Sequence, residues 1–346
     1  MQVGIIGAGI QAKSAHLPAF NSMPNIVISG IADININAAK ELAKKFKIPN
    51  VYSKYQDLLD NPDIDLISIC TPHNLHKTMA IDCALAGKHV LIEKPMSTNV
   101  EDADEIIRTV SEMGVKLCIV QNYRLFKCVQ EAKEKIGKGK IGNIISLNGH
   151  AHVFKSFGSR SSDWLIHENS AGLIEDFGPH LIDIILYLNN FNKISRIFAI
   201  GGNLGGYIDL IMTAQILIEF ENGSTAILDI SGLGGTKEIA GYIEGTGGLI
   251  HLDIRNDQLQ EIHQYSTPLD DISFISTKLN KIFKGILDGS YFHGAKSNYV
   301  ELITEFIKSI ENNTKSPISA EEGRMIALVI ESAYKSIKEK RPIIIQ

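Results

Sequence analysis

Apolar and polar positions alternate in two different rhythms along this chain. Over the first 121 residues, short Val/Ile-rich runs at 3–6, 26–32, 64–70, 89–92 and 116–120 are each followed by polar punctuation. Helical periodicity lies between them, around 10–20, 36–46, 55–60, 75–86 and 100–113. In the last of these, Val100, Ala103, Ile106, Ile107 and Val110 recur at three- and four-residue steps, the apolar stripe of one helix face. Strands that are apolar throughout and joined by helices are buried on both faces. They predict an α/β unit with a doubly wound parallel sheet.

Beyond about residue 140 the strand-like runs crowd together, near 143–154, 194–200, 209–220, 224–231, 238–245 and 248–253. Asn222-Gly223 marks a hairpin turn, because this pair readily takes positive φ. Helices are predicted at 178–189, 273–287, 297–312 and 320–339, with Ser319 and Glu322 forming a capping box for the last. The second half therefore reads as α+β, with a large, mostly antiparallel open sheet. The division falls between 1–122 and 123–346.

Length and composition agree with two globular domains: 346 residues, 44% hydrophobic and 21% charged, exclude a disordered or fibrous chain. With 34 basic against 39 acidic residues there is no electrostatic case for nucleic acid as a partner. Cys70, Cys83, Cys118 and Cys128 are scattered without zinc spacing and read as reduced thiols. No run supplies the ~20 uninterrupted apolar residues of a membrane span. Met1 leads into the first strand without a basic leader region, so a cytoplasmic location is the expectation.

Candidate chemistry begins at Gly7-Ala8-Gly9-Ile10-Gln11-Ala12, which follows the first strand and opens a helix. The first glycine permits a tight turn, the second lets backbone approach a pyrophosphate, and small Ala12 allows close helix–strand packing. Asp33 ends the second strand, where a carboxylate accepts the adenine-ribose hydroxyls. No basic residue occupies 34–37 to hold a 2′-phosphate, which favours NAD over NADP. Thr71-Pro72-His73 and His76 follow the fourth strand, and Glu93-Lys94-Pro95 the fifth, at the edge where open α/β sheets bind ligands. Lys94, partly desolvated there, can donate to a substrate hydroxyl. For His73 and His76 a turn or cap role competes with a ligand contact.

Around the predicted helix at 178–189, Phe177, Leu181, Ile184, Ile185 and Leu188 form a buried stripe. Asp176, His180 and Asp183 fall at i, i+4 and i+7 on another face. An Asp one turn from a His orients the imidazole and stabilises its protonated form, the arrangement that alcohol oxidation requires. Asp183 either contacts substrate or hydrogen-bonds within the site. His150 and His152 share a strand face without further ligands and read as non-metal. The run from Gly201 to Gly206 precedes a strand and is no phosphate loop.

Taken in order, the glycine turn, Asp33, Thr71-Pro72, Glu93-Lys94-Pro95 and Asp176-Phe177-Gly178-Pro179-His180-Leu181-Ile182-Asp183 resemble the Gfo/Idh/MocA oxidoreductases, the glucose–fructose oxidoreductase and inositol dehydrogenase group. The resemblance implies an NAD-binding Rossmann domain over 1–122 and a substrate-binding, oligomerising domain over 123–346. It implies Lys94, Asp176 and His180 as catalytic residues, with Lys94–Pro95 commonly cis. Cofactor contacts are expected from Gly7, Gly9, Ile10, Gln11, Asp33, Thr71, Pro72, His73, His76, Glu93, Lys94 and Gln121.

Substrate contacts are expected from Lys94, Tyr123, Arg124, Trp164, Asp176 and His180. Arg124 binds a substrate oxygen or forms an interdomain salt bridge, and Trp164 can stack on a sugar face. Lys155 and Arg160, if they point inward, indicate an acidic or phosphorylated substrate. The implied activity is oxidation of a secondary hydroxyl of a sugar, cyclitol or nucleotide sugar by a homodimer or homotetramer. The alternatives are redox elimination at a glycosidic bond, or dinucleotide sensing without turnover.

Overall fold

The computed structural model describes residues 1–153, 172–203, 211–233, 238–263 and 293–345. The chain divides into two compact units, Met1–Asn122 with Lys296–Leu328, and Tyr123–Ala295 with Val329–Gln346.

In the first unit, strands β1 (Gln2–Ile6), β2 (Val27–Ala32), β3 (Asn50–Tyr52), β4 (Leu66–Ile69), β5 (His89–Glu93) and β6 (Leu117–Val120) form one sheet in the order β3-β2-β1-β4-β5-β6. Every pairing is parallel. Ile5, Ile67, Ile69, Val90, Leu91, Ile92 and Ile119 have no exposed surface, so both faces of the sheet are covered, as the unbroken apolar runs require. The covering helices include α1 (Leu17–Asn21), α2 (Ile36–Phe46), α3 (Tyr55–Leu59), α4 (His76–Leu85) and α5 (Val100–Glu112). Asn35 and Asn99 start α2 and α5 by accepting the Ala38 and Asp102 amides at 3.2 and 2.8 Å. The three-residue β3 is too short to register as a hydrophobic period.

The second unit carries helices α6 (Lys127–Gly137), α7 (Leu173–Asp176) and α8 (Gly178–Leu188). Its sheet contains β7 (Ile144–His152), β8 (Ile194–Gly202), β9 (Thr213–Phe220), β10 (Thr225–Ser231), β11 (Glu238–Gly245), β12 (Gly248–Asp253), β13 (Gln258–His263) and β14 (Ile343–Ile344). Their order is β13-β12-β11-β7-β10-β9-β8-β14, antiparallel except for the β7–β10 pair. Alternation sets the facing: Ala226, Leu228 and Ile230 are fully buried while Ile227 between them is 44% exposed. β9 and β10 meet at the expected turn, where the Phe220 amide donates to the Ser224 carbonyl at 3.0 Å.

Two long helices close the described chain, α9 (His293–Glu311) and α10 (Ala320–Glu339). The capping box is present: the Ser319 amide donates to Glu322 Oε2 at 3.1 Å, and the Glu322 amide to Ser319 Oγ at 3.5 Å. Against the sequence division at 122/123, residues 296–328 join the first unit, because their backbone extends its hydrogen bonding. The Ile119 amide donates to the Ile318 carbonyl at 3.2 Å, and Lys116 Nζ to the Thr314 carbonyl at 2.7 Å. The helix predicted at 273–287 lies outside the described residues. Among the described residues no helix is long and apolar enough to cross a membrane.

Strand β11 comes so close to β7 that a Cβ on Gly241 would stand 2.2 Å from the Asn148 carbonyl oxygen. Backbone there cannot yield without breaking the pairing of Gly241 with Gly149. Gly241→Ala is therefore expected to lower the unfolding free energy by about 1–3 kcal/mol in urea titrations.

Candidate active site

Because the first sheet is parallel, the turns after β1, β2, β4, β5 and β6 leave from the same edge. Gly7 sits there with φ +99°, and a Cβ on it would meet the Cys70 carbonyl oxygen at 2.8 Å. A Cβ on Gly9, by contrast, would have no atom within 4 Å among the described residues beyond its chain neighbours. That turn is open on its outer side, and Ile10 beside it is 61% exposed. Asp33 faces the same turn: Oδ2 accepts the Ala8 amide at 2.6 Å and Oδ1 the Asn35 amide at 2.6 Å. A tight open glycine turn with a carboxylate beside it, and no cation at 34–37, fits the diphosphate and ribose of NAD.

Lys94 and the Thr71–Pro72 turn share this edge. Lys94 is partly exposed, its amide donates to Glu93 Oε2 at 3.3 Å, and the Lys94–Pro95 peptide is cis. His76 is fully buried below the two turns, with Nδ1 2.8 Å from the Pro95 carbonyl and Nε2 3.0 Å from the Thr71 carbonyl. Burial holds its pKa below the ordinary imidazole value, and a neutral ring has one N–H to share between those carbonyls. The structure thus places His76 as a tie between two ligand-side turns. Gln121, after β6, is 1% exposed, and neither of its amide atoms has a protein hydrogen-bond partner among the described residues.

His16, which the sequence reading passes over, lies at the end of a π-helical turn, Ala12–His16, just beyond the glycine turn. Its ring is fully buried, with Nδ1 2.8 Å from Ser68 Oγ and Nε2 2.8 Å from Glu93 Oε1. Tyr299 donates its hydroxyl to the same carboxylate oxygen at 3.2 Å. Burial works against protonation of His16, but Cys70 and Glu93 outweigh it and push the pKa up to about 10. A buried imidazolium–carboxylate pair thus anchors the residue next to Lys94. A lone His flanked by apolar residues gives no pattern to read in the sequence.

In the second unit Asp176 closes α7 and His180 belongs to α8, which starts at Gly178 as expected, with a break at Phe177 between them. The break follows from Pro179, which has no N–H to offer the Glu175 carbonyl. Tyr123 lies flat on His180, with ring centroids 4.1 Å apart and planes inclined by 16°. Arg124 turns to Asp183: Nε donates to Oδ2 at 3.0 Å, and the other nitrogen pairs with Oδ1. Both members are buried and belong to the second unit, so this ion pair is not the interdomain bridge expected as one role of Arg124. Burial pushes Glu175, beside Asp176, up to about 7. His152 and His150 face Asp229 and Glu238 at 3.2 and 3.6 Å. Trp164, Lys155 and Arg160 lie outside the described residues.

Residues 1–121 match a family model described as an oxidoreductase family with an NAD-binding Rossmann fold, and residues 129–251 match the GFO/IDH/MocA C-terminal domain. The chain belongs to the GFO/IDH/MocA oxidoreductase family and is an NAD-binding oxidoreductase. Among its relatives, myo-inositol 2-dehydrogenase of Thermotoga maritima is 24% identical, over 99% of this chain and 98% of that protein. Levoglucosan dehydrogenase of Pseudarthrobacter phenanthrenivorans is 29% identical over 75% of each chain. Among solved structures, a levoglucosan dehydrogenase with NADH and levoglucosan aligns with a TM-score of 0.85 at 23% identity, covering 99% of each chain. The WlbA dehydrogenase of Bordetella pertussis with NADH and UDP-GlcNAcA aligns at 0.84 and 20% identity, over 100% of this chain and 98% of that one.

A group whose pKa is raised on folding stabilises the fold at pH values below its unfolded pKa and loses that contribution as pH climbs through the folded value. For His16 the window runs from about 6.5 to about 10. Unfolding free energy is expected to fall on the order of a few kcal/mol between pH 6.5 and 10. In His16→Gln, less stable at every pH, that decline shrinks. Urea titrations across the range check both.

Proposed function

We infer that this protein is an NAD-dependent dehydrogenase acting on a secondary hydroxyl of a sugar, cyclitol or nucleotide sugar. Lys94 binds and polarises the reacting oxygen, and His180 takes the hydroxyl proton. Asp176, in the helical turn before α8, favours the protonated imidazole. NAD, when bound, supplies the hydride acceptor. The observation that carries this reading is Lys94 itself, a partly exposed cation at the same sheet edge as the glycine turn and Asp33. Gln121, with its buried amide, is assigned to the cofactor alongside them. Relatives named for myo-inositol, levoglucosan and a UDP-linked sugar acid support a polyhydroxylated ring as the substrate class.

The inference is tested by following NAD reduction with myo-inositol, levoglucosan, glucose 6-phosphate and UDP-linked sugars. One member of this panel is expected to be oxidised. Lys94→Ala and His180→Ala are each expected to lose at least about 10²-fold in kcat while binding NAD as the parent does. Full turnover in either variant overturns the assigned roles. Glycoside cleavage without net NADH overturns the dehydrogenase reading in favour of redox elimination, and NAD binding with no turnover at all favours a sensor.

The protein is also assigned as a homo-oligomer. Leu217, Ile227 and Tyr242 are 44, 44 and 42% exposed on one sheet face. They fall on one cross-strand row with Phe198 and Asn148, which gathers these exposed apolar side chains on one face. Light scattering is expected to give a dimer or tetramer, and Ile227→Glu to shift it toward monomer.

A further inference from the structure

The residues that hold His180 form a set no chemical motif marks. Asn122–Leu125 makes a short helical turn straight after β6. From it, two consecutive side chains reach positions one turn apart on α8. Tyr123 covers the His180 ring face to face, at 4.1 Å and 16°. Arg124 grips Asp183 through two hydrogen bonds, with both side chains buried. The guanidinium carbon also lies 4.8 Å from the Tyr187 ring centre, further along α8, and 5.2 Å from that of Phe191, just beyond the helix. Asp183 and Tyr187 are one turn apart on α8, so Arg124 lies along that face of the helix.

The turn that carries the pair is itself braced. Gln130 Nε2 donates to the Arg124 carbonyl at 2.7 Å, and Phe126 meets Tyr123 edge-on, with centroids 5.3 Å apart and planes at 85°. Burial raises the pKa of the Tyr123 hydroxyl, so the residue presents a neutral aromatic face to the imidazole.

The geometry points to Tyr123 and Arg124 as a two-point clamp on α8, in which the ion pair fixes the helix and the phenol face fixes the plane of the His180 imidazole. Tyr123 is then a positioning residue, acting through its ring and not its hydroxyl. The proposal rests on the reading of His180 as the proton acceptor for its catalytic consequence. A general base gains its rate from orientation, and small misplacements are costly. A free imidazole rotates about two side-chain torsions, whereas a stacked one keeps its nitrogens in one plane.

The test compares Tyr123→Phe, Tyr123→Leu and Arg124→Lys in the full-length protein with NAD present. The first readout is the NMR signal of the His180 ring protons, assigned by difference against His180→Ala. In the parent and in Tyr123→Phe these signals are expected upfield, because the ring current of a stacked aromatic shields them. In Tyr123→Leu they return toward ordinary histidine positions, and in Arg124→Lys they move part of the way. The second readout is NAD reduction with levoglucosan and myo-inositol. Tyr123→Leu is expected to lose about 10- to 100-fold in kcat, with KM and NAD affinity little changed, while Tyr123→Phe keeps most activity.

Unshifted His180 signals in Tyr123→Leu overturn the clamp. So does a Tyr123→Phe loss as large as that of Tyr123→Leu, because the hydroxyl would then be the acting group. If Tyr123→Leu does not fold, the Tyr123→Phe and Arg124→Lys spectra decide. Full turnover in His180→Ala, with the ring signals still moving in Tyr123→Leu, overturns the proton-transfer reading alone and leaves the positioning of the ring intact.

Discussion

In the first unit all six strands run parallel, so Gly7, Asp33, Thr71, Lys94 and Gln121, carried by five separate turns, leave the sheet at one edge. No long loop has to gather them. Strand β1 lies between β2 and β4, and the chain moves outward from it in both directions, which places the glycine turn at the point where the strand order reverses. The rigidity of a sheet buried on both faces then becomes the rigidity of the site. The fully buried Val90, Leu91 and Ile92 of β5 fix the base of the Lys94 turn in the packed core.

Both units bury charge close to the groups assigned to chemistry, and both do so in pairs. Glu93 meets His16 in one, and Asp183 meets Arg124 in the other. Desolvating such groups is costly, and a well-packed apolar replacement is often as stable. What an ion pair adds is direction: a carboxylate with two donors accepts one arrangement, where a leucine accepts several. Each pair sits one or a few residues from the group assigned to chemistry, Lys94 or His180, so that directionality is spent where orientation matters.

Much of this was readable in advance, and the limits were physical. Long periodic segments such as 100–113 and 320–339 came through as helices because many residues vote for one face. The glycine turn and Asp33 were legible because backbone chemistry constrains residue type there. β3, β13 and β14 escaped notice because three residues, a polar alternation and two residues carry little hydrophobic signal. His16, Glu175 and the stacking of Tyr123 were invisible for another reason: burial and partners decide their chemistry, and both come from distant parts of the chain. The helix predicted at 178–189 was legible as the longer ones were, from an apolar stripe that runs on past Pro179.

The first unit is discontinuous in sequence, and this has a consequence for how the protein is made. Its sheet is complete once residue 120 has been synthesised, but Ile318, Thr314 and Tyr299, which close its edge and cap Glu93, come after the whole of 123–295. At ~5–20 residues per second, a ribosome takes roughly ten to thirty seconds to bridge that gap. During that interval the β6 edge and the buried carboxylate of Glu93 wait without their final partners. The nascent chain therefore passes through a stage in which the cofactor-binding half has all its strands but not its last layer.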